Sequence, residues 1–169
     1  MKLSKIKNHI ILIGFKSVGK TTVGKLLSNK LNIPHIDLDN KIEIFYEQKC
    51  NNKLSCREIM SDHGEDYFRS IEHNTLFNIL NYGSSVISLG GGAPLNLKSQ
   101  KLLKPYITIY LISPKLKVFK RILDGGKPGF LINNQDMNIQ LNQIWRKRNN
   151  VYKSIKTFIV KNNFSIDNT

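Results

Sequence analysis

Residues 14–22 read GFKSVGKTT, and this glycine-containing segment is the strongest indication of the fold class in the chain. It matches the pattern G-x-x-x-x-G-K-[ST], in which the amides of a curled backbone point at phosphate oxygens. The apolar run HIILI precedes it at residues 9–13, and helix-like apolar spacing follows it over residues 23–27. Because the pattern requires a strand before it and a helix after it, this context predicts a phosphate-binding loop rather than a plain turn.

The predicted loop assigns chemistry to particular side chains. Lys20 can reach the β- and γ-phosphates of a nucleoside triphosphate, and the Thr21 hydroxyl is a candidate ligand for Mg²⁺. The positive end of the following helix adds to the attraction for phosphate. The residues predicted to bind the triphosphate are Gly14, Ser17, Val18, Gly19, Lys20, Thr21 and Thr22. The loop alone does not identify the phosphoryl acceptor.

Length and composition predict a single domain over residues 1–169, because a chain of this size and 40% hydrophobic content can bury a core. No apolar run approaches the ~20 residues of a membrane span, so no membrane partner is expected. The charged start at residues 1–7 leads into a short apolar stretch, which favours a first strand over an export signal. Cys50 and Cys56 form no metal or disulfide pattern. These features predict a cytoplasmic protein, and we expect a monomer.

The net charge of +14 allows two interpretations. A strongly basic protein can bind nucleic acid, whose phosphates attract Lys and Arg. Alternatively, Lys, Asn and Ile are abundant along the whole chain, including loops such as residues 49–53, and this bias raises the charge without making a site. The densest basic cluster, residues 146–148, belongs to no sustained basic stripe interleaved with aromatics. We therefore favour compositional bias plus small anionic ligands over nucleic acid.

Strand and helix candidates alternate along the chain. The strand candidates are 9–14, 35–38, 85–89, 107–112 and 157–160. The helix candidates are 20–31, about 40–48, 55–62, 65–81, 96–103, 115–123 and 136–153. This order predicts a parallel sheet with helices on both faces, in which each short apolar strand is covered on both sides. The segment DGGKPG at residues 124–129 ends a helix and is expected to form a mobile loop.

A D-x-D pair, Asp37 and Asp39, ends the second strand candidate. As strand residues two apart, they would face the same way at the carboxyl end of the sheet, where open α/β folds bind ligands. One carboxylate could hold Mg²⁺ through water, and the other could accept a hydroxyl proton. The alternative is an Asp that caps a helix starting near Asn40.

Two further segments carry candidate binding residues. Arg69 and Glu72 are three residues apart on one helix face, so the carboxylate either fixes the guanidinium for an anionic ligand or forms an ordinary surface ion pair. Gly90, Gly91 and Gly92 follow a strand directly. Three consecutive glycines exceed what a turn needs, which favours close approach of a ligand to the backbone.

Taken in order, these motifs resemble the shikimate kinases over roughly residues 8–160. They are the phosphate loop, D-x-D, G-E-x-x-F-R-x-x-E at 64–72, G-G-G-A at 90–93 and R-x-x-x-Y at 148–152. The resemblance implies an α/β, three-layer P-loop NTPase fold with a five-stranded parallel sheet, a helical substrate-binding insert at about 40–81 and a short lid at about 124–136. It also implies ATP-dependent phosphorylation of the 3-hydroxyl of shikimate to shikimate 3-phosphate, a step of chorismate and aromatic amino acid biosynthesis.

The resemblance assigns roles to matching positions. Asp39 would bind the shikimate hydroxyls and act as the base, and Arg69 and Arg148 would grip the shikimate carboxylate. Glu72 would orient Arg69, while Thr21 and, through water, Asp37 would hold Mg²⁺. The substrate-binding residues implied are Asp39, Arg69, Glu72, Gly90, Gly91, Gly92 and Arg148. The catalytic residues implied are Lys20, Asp39 and Lys127.

Two positions depart from the family pattern. Lys127 stands in the lid where the family usually has an ATP-binding arginine, and it keeps the positive charge but loses the planar fork of donors. Ser17 stands in the phosphate loop where the family often has glycine.

The sequence is also compatible with other functions. A gluconate or nucleoside-monophosphate kinase would share the loop but would not explain the other motifs. A weakened kinase-like binding protein, suggested by Lys127, would bind ATP or shikimate without turnover. A nucleic-acid-binding P-loop protein would follow from the charge and would show steeply salt-dependent binding to duplex.

Overall fold

The computed structural model describes residues 9–125, 136–155 and 157–162. Strands and helices alternate in it as the sequence predicted. The strands are β1 (Ile10–Ile13), β2 (His35–Asp37), β3 (Val86–Ser88), β4 (Ile107–Ile112) and β5 (Phe158–Lys161). The helices are α1 (Lys20–Leu31), α2 (Leu38–Cys50), α3 (Cys56–His63), α4 (Glu65–Leu80), α5 (Leu97–Leu103), α6 (Lys115–Asp124) and α7 (Met137–Ser154).

The five strands form one parallel sheet in the order β2-β3-β1-β4-β5, flanked by the helices. Ile10 of β1 pairs with Val86 of β3 on one side and with Ile107 of β4 on the other. The side chains of β1 are central to the core, since Ile11 and Leu12 are fully buried. The parallel arrangement brings the carboxyl ends of β1, β2 and β3 to the same end of the sheet. The phosphate loop, Asp37 and the three consecutive glycines Gly90, Gly91 and Gly92, here called the glycine run, lie at this end. The predicted fold class is confirmed.

Three helices, α2 to α4, connect β2 to β3 and correspond to the insert predicted at residues 40–81. Ile42, Ile59 and Phe68, one from each helix, are buried in the common core. A capping box starts α3, because the Ser55 hydroxyl accepts from the Glu58 amide while the Glu58 carboxylate accepts from the Ser55 amide. The insert is therefore packed against the sheet rather than loosely attached, and it carries Asp39 and Arg69.

The start of α2 corrects one prediction. The strand β2 ends at Asp37, and the helix already begins at Leu38, so Asp39 lies in the first helical turn and not in a strand. Asp37 is the cap of this helix, since its side chain accepts a hydrogen bond from the Asp39 amide at 3.2 Å. The two carboxylates are thus set by a strand end and a helix start, and the period of two that was used to align them does not apply.

The edge strand β5 corrects a second prediction. It was expected to be covered on both faces, but Phe158, Ile159 and Val160 are 68%, 58% and 44% exposed. The reason is its place at the edge of the sheet, where β4 is its partner within the described residues. A short 3-10 helix, Ala93–Leu95, directly after the glycine run was also not predicted.

The predicted lid falls largely outside the described residues. The helix α6 ends at Asp124, and residues 126–135, which include Lys127, are not described. In the described ranges, none of the helices has the length and apolar character needed to cross a membrane.

Candidate active site

The loop between β1 and α1 has the backbone of a phosphate cradle. Gly14 and Gly19 have φ values of 148° and 97°, in the region that favours glycine. Ser17 also lies in the left-handed region, with φ of 61°, at a cost of about 1–2 kcal/mol for a residue with a Cβ. Val18 is buried at 1% exposure, and Thr22 lies exposed in the first turn of α1. The backbone of residues 14–19 therefore already has the curled conformation of a phosphate-binding loop, directly before the N-terminus of α1.

The Lys20 ammonium lies folded against this loop. Its Nζ donates to the carbonyl oxygens of Gly14 at 3.0 Å and Phe15 at 2.8 Å. Burial lowers the pKa of Lys20 to about 8, although the nearby carboxylates of Asp39 and Asp37 act in the opposite direction. A lysine in this position is held by weak acceptors and has a desolvated charge, so phosphate oxygens arriving in the loop would be better partners.

Two residues far along the chain support the loop, and neither belongs to a motif that predicts this contact. The Asn162 side chain donates from Nδ2 to the Val18 carbonyl at 2.8 Å, across 144 residues. The Asn162 amide in turn donates to the Ile112 carbonyl at 2.7 Å. Arg121 of α6 donates to the Ser17 carbonyl at 3.4 Å. The loop is thus fixed from the β4–β5 side of the sheet.

The Thr21 hydroxyl donates to Oδ2 of Asp37 at 2.9 Å. This contact joins two oxygen groups of the type that Mg²⁺ prefers, at the edge of the cradle. Within residues 9–125, 136–155 and 157–162, no cluster of three or more His, Cys, Asp or Glu could hold a metal alone. The pair therefore fits Mg²⁺ in the manner of nucleotide kinases, where phosphate oxygens and water complete the ligand set.

The Asp39 carboxylate lies between the cradle and the glycine run. Burial raises its pKa above the ordinary value, Asp37 raises it further, and Lys20 opposes both. A Cβ placed on Gly90 would overlap Oδ1 of Asp39. The carboxylate is therefore held against the backbone of Gly90, with its proton affinity increased.

The Arg69 guanidinium is held by two carboxylates of its own helix. Nη1 donates to Glu72 at 2.8 Å, while Nε and Nη2 donate to Glu65 at 3.2 Å. The side chain of Glu72 is 2% exposed and that of Arg69 is 17% exposed. The contact is therefore not the surface ion pair considered from the sequence, because Glu72 is buried and fixes the fork. A Cβ on Gly92 would lie 2.5 Å from Nη2 of Arg69.

Arg148 of α7 also reaches the carboxyl end of the sheet, where the phosphate loop and the glycine run lie. Its guanidinium stacks over the Phe15 ring at 5.4 Å, and a Cβ on Gly91 would lie 3.1 Å from Nη1. Burial lowers the pKa of Arg148. The Tyr152 hydroxyl, one turn further along α7, donates to the Gly91 carbonyl at 2.5 Å and ties the helix to the glycine run.

The glycine run explains how these groups converge. Gly90, Gly91 and Gly92 each leave room for a different side chain, and these are Asp39, Arg148 and Arg69 in turn. Two guanidinium groups and one carboxylate of raised pKa therefore share a site next to the phosphate loop. Such a site can bind a small hydroxylated acid and present a hydroxyl to a phosphoryl donor.

Comparison with known proteins agrees with this chemistry. The family model described as "Shikimate kinase" matches residues 16–168. The chain belongs to the shikimate kinase family. The expected function, phosphorylation of shikimate at the expense of ATP, is thereby confirmed at the level of the family.

Individual relatives cover nearly the whole length. A shikimate kinase of Clostridium botulinum (strain Loch Maree / Type A3) is 34% identical over 160 residues, which are 92% of this chain and 89% of the relative. The crystal structure of a shikimate kinase from Acinetobacter baumannii in complex with shikimate superposes with a TM-score of 0.80 at 26% identity, covering 95% of this chain and 86% of that one.

The fold is shared more widely than the family. A gluconokinase structure from Sinorhizobium meliloti 1021 superposes with a TM-score of 0.55 at 13% identity, covering 94% of this chain and 84% of that one. A likeness at that identity reflects the fold alone. The gluconate alternative raised from the sequence is therefore not favoured over shikimate kinase.

Proposed function

We propose that this shikimate kinase transfers the γ-phosphoryl group of ATP to the 3-hydroxyl of shikimate, using the residues that meet at the glycine run. The observation that carries the assignment is the convergence of Asp39, Arg69 and Arg148 on three consecutive glycines beside the phosphate loop. The two arginines bind the shikimate carboxylate, since a planar guanidinium matches a carboxylate with two parallel hydrogen bonds.

The nucleotide side of the reaction rests on α1 and its loop. Lys20 exchanges its two carbonyl acceptors for β- and γ-phosphate oxygens, and the loop amides surround the phosphates. Thr21 and, through water, Asp37 hold Mg²⁺, which when bound neutralises charge on the phosphates. Positioning and positive charge supply most of the catalysis, because phosphoryl transfer needs little covalent chemistry from the protein.

Asp39 binds the shikimate hydroxyls and accepts the proton of the attacking oxygen. Its raised pKa makes it a better proton acceptor than an exposed aspartate, and Lys20 lies close enough to influence its charge. Its position in the first turn of α2 fixes the carboxylate between the phosphate cradle and Gly90. The base therefore lies next to the loop that receives the phosphoryl donor before any ligand binds.

Substrate choice can be tested by calorimetric titration of the full chain with shikimate, gluconate and AMP. We expect saturable binding of shikimate that is weakened in Arg69 variants, and much weaker binding of gluconate and AMP. Tighter binding of gluconate or AMP than of shikimate would contradict the proposal.

The cytoplasmic location and the monomeric state stay predictions from the sequence. Sedimentation velocity would check the monomeric state.

Arg69→Lys should weaken shikimate binding about 10-fold or more, because a point charge replaces a fork that Glu72 holds in place. ATP affinity should barely change. The measurement is the dissociation constant of each ligand by titration calorimetry, with Arg57→Lys on the exposed surface of α3 as the matched control. Equal loss of both ligands in the Arg69 variant would indicate a folding defect and contradict the assigned role.

Lys127 lies outside the described residues, and its role is proposed from its family position. A cation in a lid acts on charge that develops in the transition state, so Lys127→Ala should lower kcat about 100-fold. Lys127→Arg should keep or raise kcat with little change in the KM for shikimate, since arginine offers five donors in a plane. Steady-state kinetics decide the matter, and parent-like turnover of the alanine variant would place the lid cation elsewhere.

A further inference from the structure

The strand β2 contacts α1 at two points on one face. His35 and Asp37 are two residues apart in the strand and therefore point to the same side. Asp37 accepts the hydrogen bond from Thr21, while the His35 ring lies against Gly24, one turn further along α1. Asp37 serves the proposed Mg²⁺ site, but His35 takes no part in the proposed reaction.

A chain of hydrogen bonds joins His35 to the first turn of α1. The His35 Nε2 lies 2.9 Å from the Ser88 hydroxyl oxygen, and that hydroxyl donates to the Lys20 carbonyl at 3.2 Å. A carbonyl oxygen can only accept, so the Ser88 proton points toward Lys20. His35 must therefore donate from Nε2, which assigns the tautomer of the imidazole from its partners.

Gly24 makes room for this arrangement. It is buried in the middle of α1, where glycine is about 1 kcal/mol less favourable than alanine. A Cβ at this position would lie 2.5 Å from both Cδ2 and Nε2 of His35 and 2.9 Å from the Ser88 hydroxyl oxygen. The helix therefore has a notch that the imidazole fills.

We propose that His35 is a positioning residue for the phosphate loop, which fills the notch at Gly24 and, through Ser88, fixes the first turn of α1. Lys20 and Thr21 both stand on this turn, so its place relative to the sheet sets where the ammonium and the hydroxyl meet the nucleotide. His35 acts through Ser88 rather than by direct contact with a substrate.

The geometry predicts which ligand responds. Displacing a binding group by about 1 Å can reduce a rate by as much as 100-fold. The side chains proposed to bind the nucleotide, Lys20 and Thr21, are on α1. Arg69 is on α4 and Arg148 is on α7, outside the chain of hydrogen bonds from His35. Loss of His35 should therefore affect MgATP far more than shikimate.

The chain offers a matched control for the test. The Ser85 hydroxyl is bonded to Nδ1 of His9 at 2.9 Å, and Ser85 and Ser88 are both 2% exposed. Ser85 lies about 10 Å from Ser88 along the strand direction, toward the amino end of the sheet. Removing either hydroxyl breaks a His–Ser hydrogen bond, but of the two serines it is Ser88 that also donates to the Lys20 carbonyl.

The experiment measures kcat, the KM values for MgATP and shikimate, and thermal stability in four variants of the full chain. They are His35→Ala, His35→Gln, Ser88→Ala and Ser85→Ala. Glutamine is the conservative variant because its amide nitrogen is as many bonds from Cβ as the imidazole Nε2, so it can still donate to Ser88.

We expect the KM for MgATP to rise about 10-fold in His35→Ala and Ser88→Ala, with that for shikimate changed less than about 2-fold. His35→Gln should return the KM for MgATP to within about 3-fold of the parent value. Ser85→Ala should lower the melting temperature as Ser88→Ala does, yet leave the KM for MgATP unchanged.

Three results would overturn the proposal. They are an unchanged KM for MgATP in His35→Ala, an equal rise for both substrates, and a rise in Ser85→Ala that matches the rise in Ser88→Ala. If His35→Ala does not fold, the comparison of Ser88→Ala with Ser85→Ala decides between the same outcomes.

Discussion

Lys20→Ala should lower kcat/KM by about 1000-fold or more, because the β- and γ-phosphates lose the charge that neutralises them in the transition state. Lys20 is the first residue of α1, and its Nζ lies within the loop proposed to receive the phosphates. Steady-state assays with MgATP and shikimate would measure the loss.

Lys30→Ala is the matched control, since Lys30 is an exposed lysine in the last turn of the same helix. It should keep parent-like kinetics. Shikimate binding should persist in Lys20→Ala, because we propose that Arg69 and Arg148, and not Lys20, bind the shikimate carboxylate. Near-normal turnover in Lys20→Ala would contradict the assignment of the phosphate loop.

Asp39→Asn should lower kcat about 100-fold or more while the KM for shikimate changes little. The amide keeps the size of the side chain but cannot accept the hydroxyl proton as a base. Burial raises the pKa of Asp39, and the neighbouring Asp37 adds to the effect, so the carboxylate is suited to accept a proton. Steady-state and single-turnover kinetics would separate the chemical step from binding.

Asp62→Asn provides the control for this substitution, since Asp62 is exposed on α3. It should leave both constants unchanged. A change confined to the KM for shikimate in Asp39→Asn would make Asp39 a positioning residue and remove its role as the base.

The sheet and the phosphate loop could be predicted from local patterns alone. Each apolar strand run is short and bounded by turn residues, and the loop motif fixes a strand before it and a helix after it. Arg69 and Glu72 were candidates from their spacing, but their roles and that of Arg148 came from the family resemblance. The structure brings the three side chains together at the carboxyl end of the sheet. Their convergence depends on tertiary packing, which no local pattern contains.

The start of α2 was misplaced because two local rules compete at the D-x-D pair. Alternation favours a strand through Leu38, whereas Asp37 is a good helix cap and accepts the Asp39 amide. The cap decides the boundary. The spacing of the two carboxylates is therefore set by the helix cap at Asp37 and the start of the first turn of α2 rather than by a pleat.

Contacts between distant segments could not be predicted from the sequence. Asn162 reaches the Val18 carbonyl across 144 residues, and Ser88 reaches the Lys20 carbonyl across 68. Neither residue belongs to a motif, because serine and asparagine are common in loops and strand ends. The glycine run was predicted to let a ligand approach, and in the structure the same space admits Asp39, Arg148 and Arg69.

We propose that the groups at the glycine run phosphorylate shikimate with ATP. The decisive measurement is a coupled assay of ADP release with the full chain, MgATP and one acceptor at a time. ADP should be released in proportion to added shikimate, with only background release for gluconate and AMP, and with the loss of release in Lys20→Ala. Release that requires gluconate or AMP and is absent with shikimate would contradict the account.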